Sequence, residues 1–237
     1  MKRTTYLIWT LVLLLLLILS LPFLWRVVID ILRPQDSFWG KEGKYLWVAI
    51  GIAIYYIIRK LLRRSSHFME TFSHEITHAV VAFCLGKKVH SLHVDESGTG
   101  MVFTSGNNVY TLVPIALSPY CLPLFTFVLL LFRCFVKEDT FPIYDVLIGM
   151  SICFHYYFFS TQIGNHQTDI NQYPIVFSYF YIATFWIVNI CLILSAYSVD
   201  CPIKIHDTEL NPGLIGAFKT FIIACWESAQ MIIHYIS

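Results

Sequence analysis

Two histidines and a glutamate are spaced to share one metal ion in the run His74-Glu75-Ile76-Thr77-His78. On an α-helix, residues four apart lie on the same face, so both imidazoles can reach a single ion. Glu75 lies beside them, placed to act as a general base on water at the metal. The chemistry of such a trio is metal-assisted hydrolysis. The plain alternative is two unrelated histidines on a half-buried helix.

The helix that must position these groups is legible from Phe68 to Gly86. Ser65 or Ser66 can cap its start, Gly86 can end it, and Lys87 and Lys88 suit the negative end of its dipole. Phe68, Met69, Phe72, Ile76, Val80 and Phe83 offer apolar contacts, whereas Glu70, His74, Glu75, Thr77 and His78 demand a polar compartment.

The solvent around this helix follows from composition. The chain has 237 residues, of which 57% are hydrophobic and 13% charged, and its mean hydropathy of +0.65 exceeds that of soluble domains. That much apolar surface predicts an integral membrane protein. A net charge of +1 gives no reason to expect a nucleic-acid partner. The seven cysteines form no CxxC pair and mostly sit in apolar runs, so they read as small hydrophobic residues.

Apolar runs divide the chain. Tyr6 to Trp25 is free of charge and long enough to span hydrocarbon, and no small-x-small cleavage site follows it, so it reads as an uncleaved first span. Arg26 to Lys44 reads as a loop. Tyr45 to Ile58 forms a second span ending at Arg59, Lys60, Arg63 and Arg64, whose side chains snorkel or sit in water. After the metal helix, Val89 to Val94 alternates, Asp95 to Gly100 turns, and Met101 to Thr104 returns. With Val109 to Val113 this gives a meander of two or three strands. His90 and His93 fall on opposite faces of a strand, so both cannot serve as ligands. Further spans are expected over Ile115 to Val136, Asp145 to Ile163 and Ile175 to Ser198, with an apolar helix from Asn211 to about Tyr235 that spans or lies at the interface. His155 is a site candidate because it is ionisable within a span. Gly164 to Gln172 is a polar island, read either as a solvated loop or as the source of an acidic ligand brought in from a separate helix end.

From Ser66 to Pro123 the chain resembles the site-2 protease superfamily of intramembrane zinc peptidases, and within it the small bacterial peptidase-like branch. The likeness is carried by His74 to Val81, Gly86-Lys87-Lys88-Val89-His90-Ser91-Leu92, Ser97-Gly98-Thr99-Gly100 and Leu117-Ser118-Pro119-Tyr120, with a weaker echo from Asn165 to Pro174. In that superfamily the third zinc ligand is an aspartate on a later span, within an Asn…Pro…Asp-Gly pattern. The resemblance implies Zn²⁺ held by His74, His78 and Asp169, with Glu75 catalytic and Asn165 contacting substrate. Here Ile170 stands where the pattern has Gly, and no Pro separates Asn165 from Asp169. His166, Asp145 and His155 are the alternative third ligands.

The resulting expectation is an all-α polytopic membrane protein of about six to seven transmembrane helices, with a small β-meander inserted after the metal-binding helix. It forms a single membrane-embedded domain over 1–237, with two N-terminal spans in 1–64, a catalytic core in 65–199 and a C-terminal loop and apolar helix in 200–237. The resemblance implies a zinc-dependent intramembrane endopeptidase in a bacterial inner (plasma) membrane, with the lipid bilayer and a membrane-protein or membrane-peptide substrate as partners. Two other classes fit the same residues, a pseudo-protease or chaperone that binds helices without cutting them and a zinc transporter.

Overall fold

A computed structural model describes residues 3–32, 44–61, 66–95, 100–105, 109–164, 167–198, 203–205 and 208–210, with further single positions between 216 and 230. The chain is mostly helical. Its elements are α1 (Arg3–Leu32), α2 (Lys44–Leu61), α3 (Ser66–Cys84), β1 (Val89–Val94), β2 (Gly100–Thr104), α4 (Val109–Cys121), α5 (Leu124–Phe132), α6 (Phe141–Gln162), α7 (Thr168–Asn171), α8 (Ile175–Ser198), β3 (Ile203–Ile205) and β4 (Thr208–Leu210). Two short 3-10 turns, Arg133–Phe135 and Glu138–Thr140, lie between α5 and α6.

Among the described residues, three helices are long and apolar enough to cross a membrane: Thr4–Trp25, Phe141–Gln162 and Ile175–Leu194. A fourth span arises if Tyr110–Cys121 and Leu124–Phe132, bent by 82° at their junction, count as one. The expected span from Ile115 to Val136 is therefore broken into two helices. Pro123 at the junction has no N–H to continue the helical ladder. The expected six to seven spans are not reached by this measure among the described residues; α2, with Lys44, Arg59 and Lys60 within its 18 residues, is one expected span that fails it. The described positions of the expected C-terminal helix, between Gly216 and Gln230, are helical.

Two other boundaries shift. α1 continues through Arg26 to Leu32, where a loop was expected. Val109 to Val113 opens α4 and is not a third strand. A five-residue apolar run fits either period, and packing decides between them. β1 and β2 pair antiparallel as a two-stranded sheet, with Leu92 opposite Val102, His93 opposite Met101 and an irregularity between Val89 and Ser91. α3 ends as expected: Gly86 has φ 72°, its N–H bonds the Phe83 carbonyl, and Lys87 N–H reaches back to Ala82. This is the left-handed helix stop that glycine favours.

The chain forms two compact units, to both of which α1, α2, α6 and α8 contribute residues. The first comprises 1–13, 56–124 and 154–186. Its core joins Leu13, Val113, Leu117, Tyr120, Phe159, Ile170, Phe177 and Tyr181, all buried. The second comprises 14–55, 125–153 and 187–237. Its cores gather around Phe23, Cys191, Leu192 and Phe221, and around Leu130, Ile148 and Ile193. In this second unit α2 meets α6 backbone to backbone. A Cβ at Gly51 would lie 2.1 Å from the Val146 carbonyl oxygen, and one at Gly149 would lie 2.1 Å from that of Val48. Glycine alone permits so close a crossing.

Candidate metal centre

The helical spacing read in the sequence is realised. His74 and His78 stack along one face of α3, their rings 4.8 Å apart and nearly perpendicular. Both point at one carboxylate oxygen: Oδ2 of Asp169 lies 3.2 Å from His74 Nε2 and 3.4 Å from His78 Nε2. The three side chains form a group that could hold a metal ion, with ligand atoms within 4.8 Å of one another.

Asp169 reaches this position because α7 is pinned on two sides. Ile170 is fully buried in the core of the first unit, and its carbonyl accepts a 2.9 Å hydrogen bond from the Ser178 hydroxyl. On the other side Gln167 receives the Tyr120 hydroxyl at 3.1 Å and donates its own amide to Gln162 at 3.2 Å. The isoleucine that departs from the superfamily's Asp-Gly pattern is thus the anchor of the turn.

His78 is held from behind. Its Nδ1 is 2.7 Å from the carbonyl oxygen of Ile115, a pairing in which Nδ1–H donates. That oxygen is available for a reason written in the sequence. In a helix the Ile115 carbonyl would accept from the N–H of residue 119, and residue 119 is proline. The freed carbonyl takes His78 and the Ser118 hydroxyl, the latter at 2.8 Å. With its proton committed to Nδ1, a neutral His78 presents a lone pair from Nε2 toward the Asp169 carboxylate. Two acceptors facing each other at this distance repel unless a cation or a proton lies between them.

The donor set suits zinc. With bonds of about 2 Å to imidazole nitrogen and carboxylate oxygen, ligand atoms in a tetrahedral site stand about 3.3 Å apart. Both histidine–aspartate separations match that edge, while the donor set as a whole spans up to 4.8 Å, and the Nδ1–H to carbonyl bond is the usual support of a metal-binding histidine.

The charge distribution agrees. Burial raises the Asp169 pKa, but its hydrogen bonds to His74 and His78 and their proximity outweigh this and hold it well below the ordinary carboxylate value. Burial lowers His74 and wins over its bond to Asp169. Burial also lowers His78, but Asp169, the Ile115 carbonyl and Glu75 together carry it above its ordinary value. Glu75 is shifted upward, first by burial and then by the Asp169 charge, against the pull of His78.

Glu75, the two histidines and Asp169 all line a cavity of about 670 Å³. β2 contributes Gly100, Met101, Val102 and Thr104 to its wall. Gly100 presses on the glutamate: a Cβ there would lie 2.4 Å from Glu75 Cγ and 2.7 Å from Oε1. At the other end Glu70 pairs with Arg59 at 2.9 Å, and the Arg59 guanidinium also sits over the Tyr157 ring. Arg59, expected to snorkel or sit in water, is turned into the protein, because burying Glu70 demands a counter-charge.

The alternative third ligands do not join this group. Asp145 is buried against Arg133 in the second unit, at 3.1 Å. His155 is buried with its ring edge-on to Tyr156. His90 and His93 are exposed on β1. Asn165 and His166 lie outside the described residues. Sequence reasoning gave no site role to Tyr120, Gln167 or Gly100. The first sits in a Ser-Pro-Tyr step within an apolar run, where a hydroxyl needs a partner, and that is the signal that could have found it.

Comparison with known proteins gives one family match. Residues 47–163 match the sequence model of the family described as Peptidase M50B-like, a stretch that holds α3, both strands of the first sheet and α4. Over this stretch, just under half of the chain, the sequence is that of a family of site-2 protease-like membrane metallopeptidases. The match ends before Asp169, so the aspartate's place beside the histidines is a finding of the fold alone. No curated protein and no solved structure matches the chain.

Proposed function

We propose that this protein is a zinc-dependent intramembrane endopeptidase that hydrolyses a peptide bond in or near a transmembrane segment of another membrane protein. The observation that carries the reading is the convergence of His74 and His78 on one oxygen of Asp169, in the wall of a cavity that Glu75 also lines. In this reading His74, His78 and Asp169 hold the ion. The chemistry a zinc ion supplies there is polarisation of a carbonyl and acidification of water.

The chain's own part is proton transfer and positioning. Glu75, its carboxyl raised by burial, accepts a proton from the attacking water as the new C–O bond forms. It returns that proton to the nitrogen as the C–N bond breaks. A substrate helix cannot be cut while its amides are bonded internally, so the segment must unwind locally. β2 lines the cavity and, among the described residues, belongs to a sheet of two strands whose outer edge carries no further strand. Strand addition along this edge would hold the unwound segment beside Glu75. Asn165 is assigned a substrate contact by family resemblance. The same reading makes the chain a multi-pass protein of a bacterial inner membrane, with about six to seven spans.

The test is cleavage of a membrane-embedded peptide by purified protein in liposomes. Glu75→Gln should lose cleavage and keep its zinc, and unchanged cleavage would end the proposal. Zinc flux into the liposomes that persists in Glu75→Gln would instead indicate transport.

A further inference from the structure

We infer that the Pro119-Tyr120 step of α4 is the outer shell of the metal site and positions two of its three ligands. Pro119 acts on His78 and Tyr120 on Asp169. The inference rests on the metal-binding reading above and goes beyond it, since neither residue touches the ion.

Pro119 works by what it lacks. Every other residue at that position would offer its N–H to the Ile115 carbonyl one turn back. That carbonyl already accepts from His78 at 2.7 Å and from Ser118 at 2.8 Å, which fills its two lone pairs. A third donor must displace one of them. The proline therefore reserves the acceptor that fixes the His78 ring, with Nδ1 protonated and Nε2 turned to Asp169.

Tyr120 follows directly and serves the other ligand. Its side chain is buried, and its ring packs edge-on to His74 at 5.3 Å. Its hydroxyl has one hydrogen and two acceptors in reach, Gln167 Oε1 at 3.1 Å and Asp169 Oδ2 at 3.4 Å. Its backbone is tied down as well, the carbonyl accepting the Trp186 indole N–H at 2.8 Å. A rigidly held hydroxyl at this place fixes the direction in which the carboxylate faces the histidines. It also keeps Gln167, and with it the start of α7, in register.

The experiment is titration of the full-length protein in detergent with Co²⁺ and with Zn²⁺, in competition with a chelating dye. Wild type is compared with Pro119→Ala, Tyr120→Phe and His74→Ala. Pro119→Ala and Tyr120→Phe should each weaken metal binding by about 10- to 100-fold, and the visible Co²⁺ spectrum of Tyr120→Phe should shift as the carboxylate turns. The metal-free Pro119→Ala protein should melt close to wild type, because the helix hydrogen bond that alanine adds offsets the side-chain bond it displaces. Weaker metal binding in a fold of near wild-type stability is a result a merely structural proline cannot give. Wild-type affinity in either variant overturns the assignment for that residue, while loss of binding in His74→Ala alone keeps the metal site and overturns this inference only. Failure of the wild-type protein to bind either ion overturns both.

Discussion

His74 Nε2 and Asp169 Oδ2 stand 3.2 Å apart across 95 residues of chain, and the same oxygen faces His78 Nε2 at 3.4 Å. One carboxylate oxygen thus answers two imidazoles, and removing it leaves two neutral nitrogens with no third donor. Asp169→Ala should purify with less than a tenth of the wild-type zinc content by elemental analysis, whereas Asp145→Asn and His155→Phe should keep it. A chelator should abolish cleavage, and added Zn²⁺ should restore it.

Gly100 sets the place of Glu75, the base of the proposed reaction. A methyl group there would meet Glu75 Cγ at 2.4 Å, so either the carboxylate or β2 must move. Gly100→Ala is expected to lower kcat by about 100-fold or more, the usual worth of a positioned base, with zinc content unchanged. Loss of zinc together with activity would mean that the strand supports the ligands and not the base.

The buried pair of Arg133 and Asp145 belongs to the fold of the second unit. Both side chains are almost wholly buried, and the guanidinium also lies over the Phe141 ring at 4.3 Å. Removing one partner takes the ion pair from a buried charge, so Asp145→Ala should destabilise the protein by about 3–5 kcal/mol in denaturant unfolding. The double variant Arg133→Met with Asp145→Leu should recover much of that loss.

The crossing of α2 and α6 gives a steric prediction. A Cβ at Gly51 or Gly149 would enter the carbonyl of the facing helix, so Gly51→Ala and Gly149→Ala should each cost about 1–3 kcal/mol. Because both substitutions force the same two helices apart, the double variant should cost less than their sum.

The parts of this site legible in the sequence are those that obey a local period. His74, Glu75 and His78 could be read because four residues make one turn, and Gly86 because a left-handed residue stops a helix. Asp169 could be placed only by resemblance, since nothing local distinguishes it within a polar island. Its position depends on Ile170 entering a core built from distant segments. Tyr120 was hidden for the opposite reason: in an apolar run a buried aromatic residue looks like packing, and its hydroxyl partners are 47 and 49 residues away. Val109 to Val113 was ambiguous between strand and helix at that length, and Arg59 read as a surface charge because its partner Glu70 lies on the next helix.

α4 has one more consequence. The carbonyl that supports His78 and the hydroxyl that faces Asp169 sit on the same short helix, and Trp186 of α8 grips that helix through the Tyr120 carbonyl. Ligands from two separate helices therefore share a single mechanical support. If the proposed reaction is the right one, a compound lodged against Trp186 would stop it from behind, with the cavity left open and cavity-directed competitors unable to oppose it.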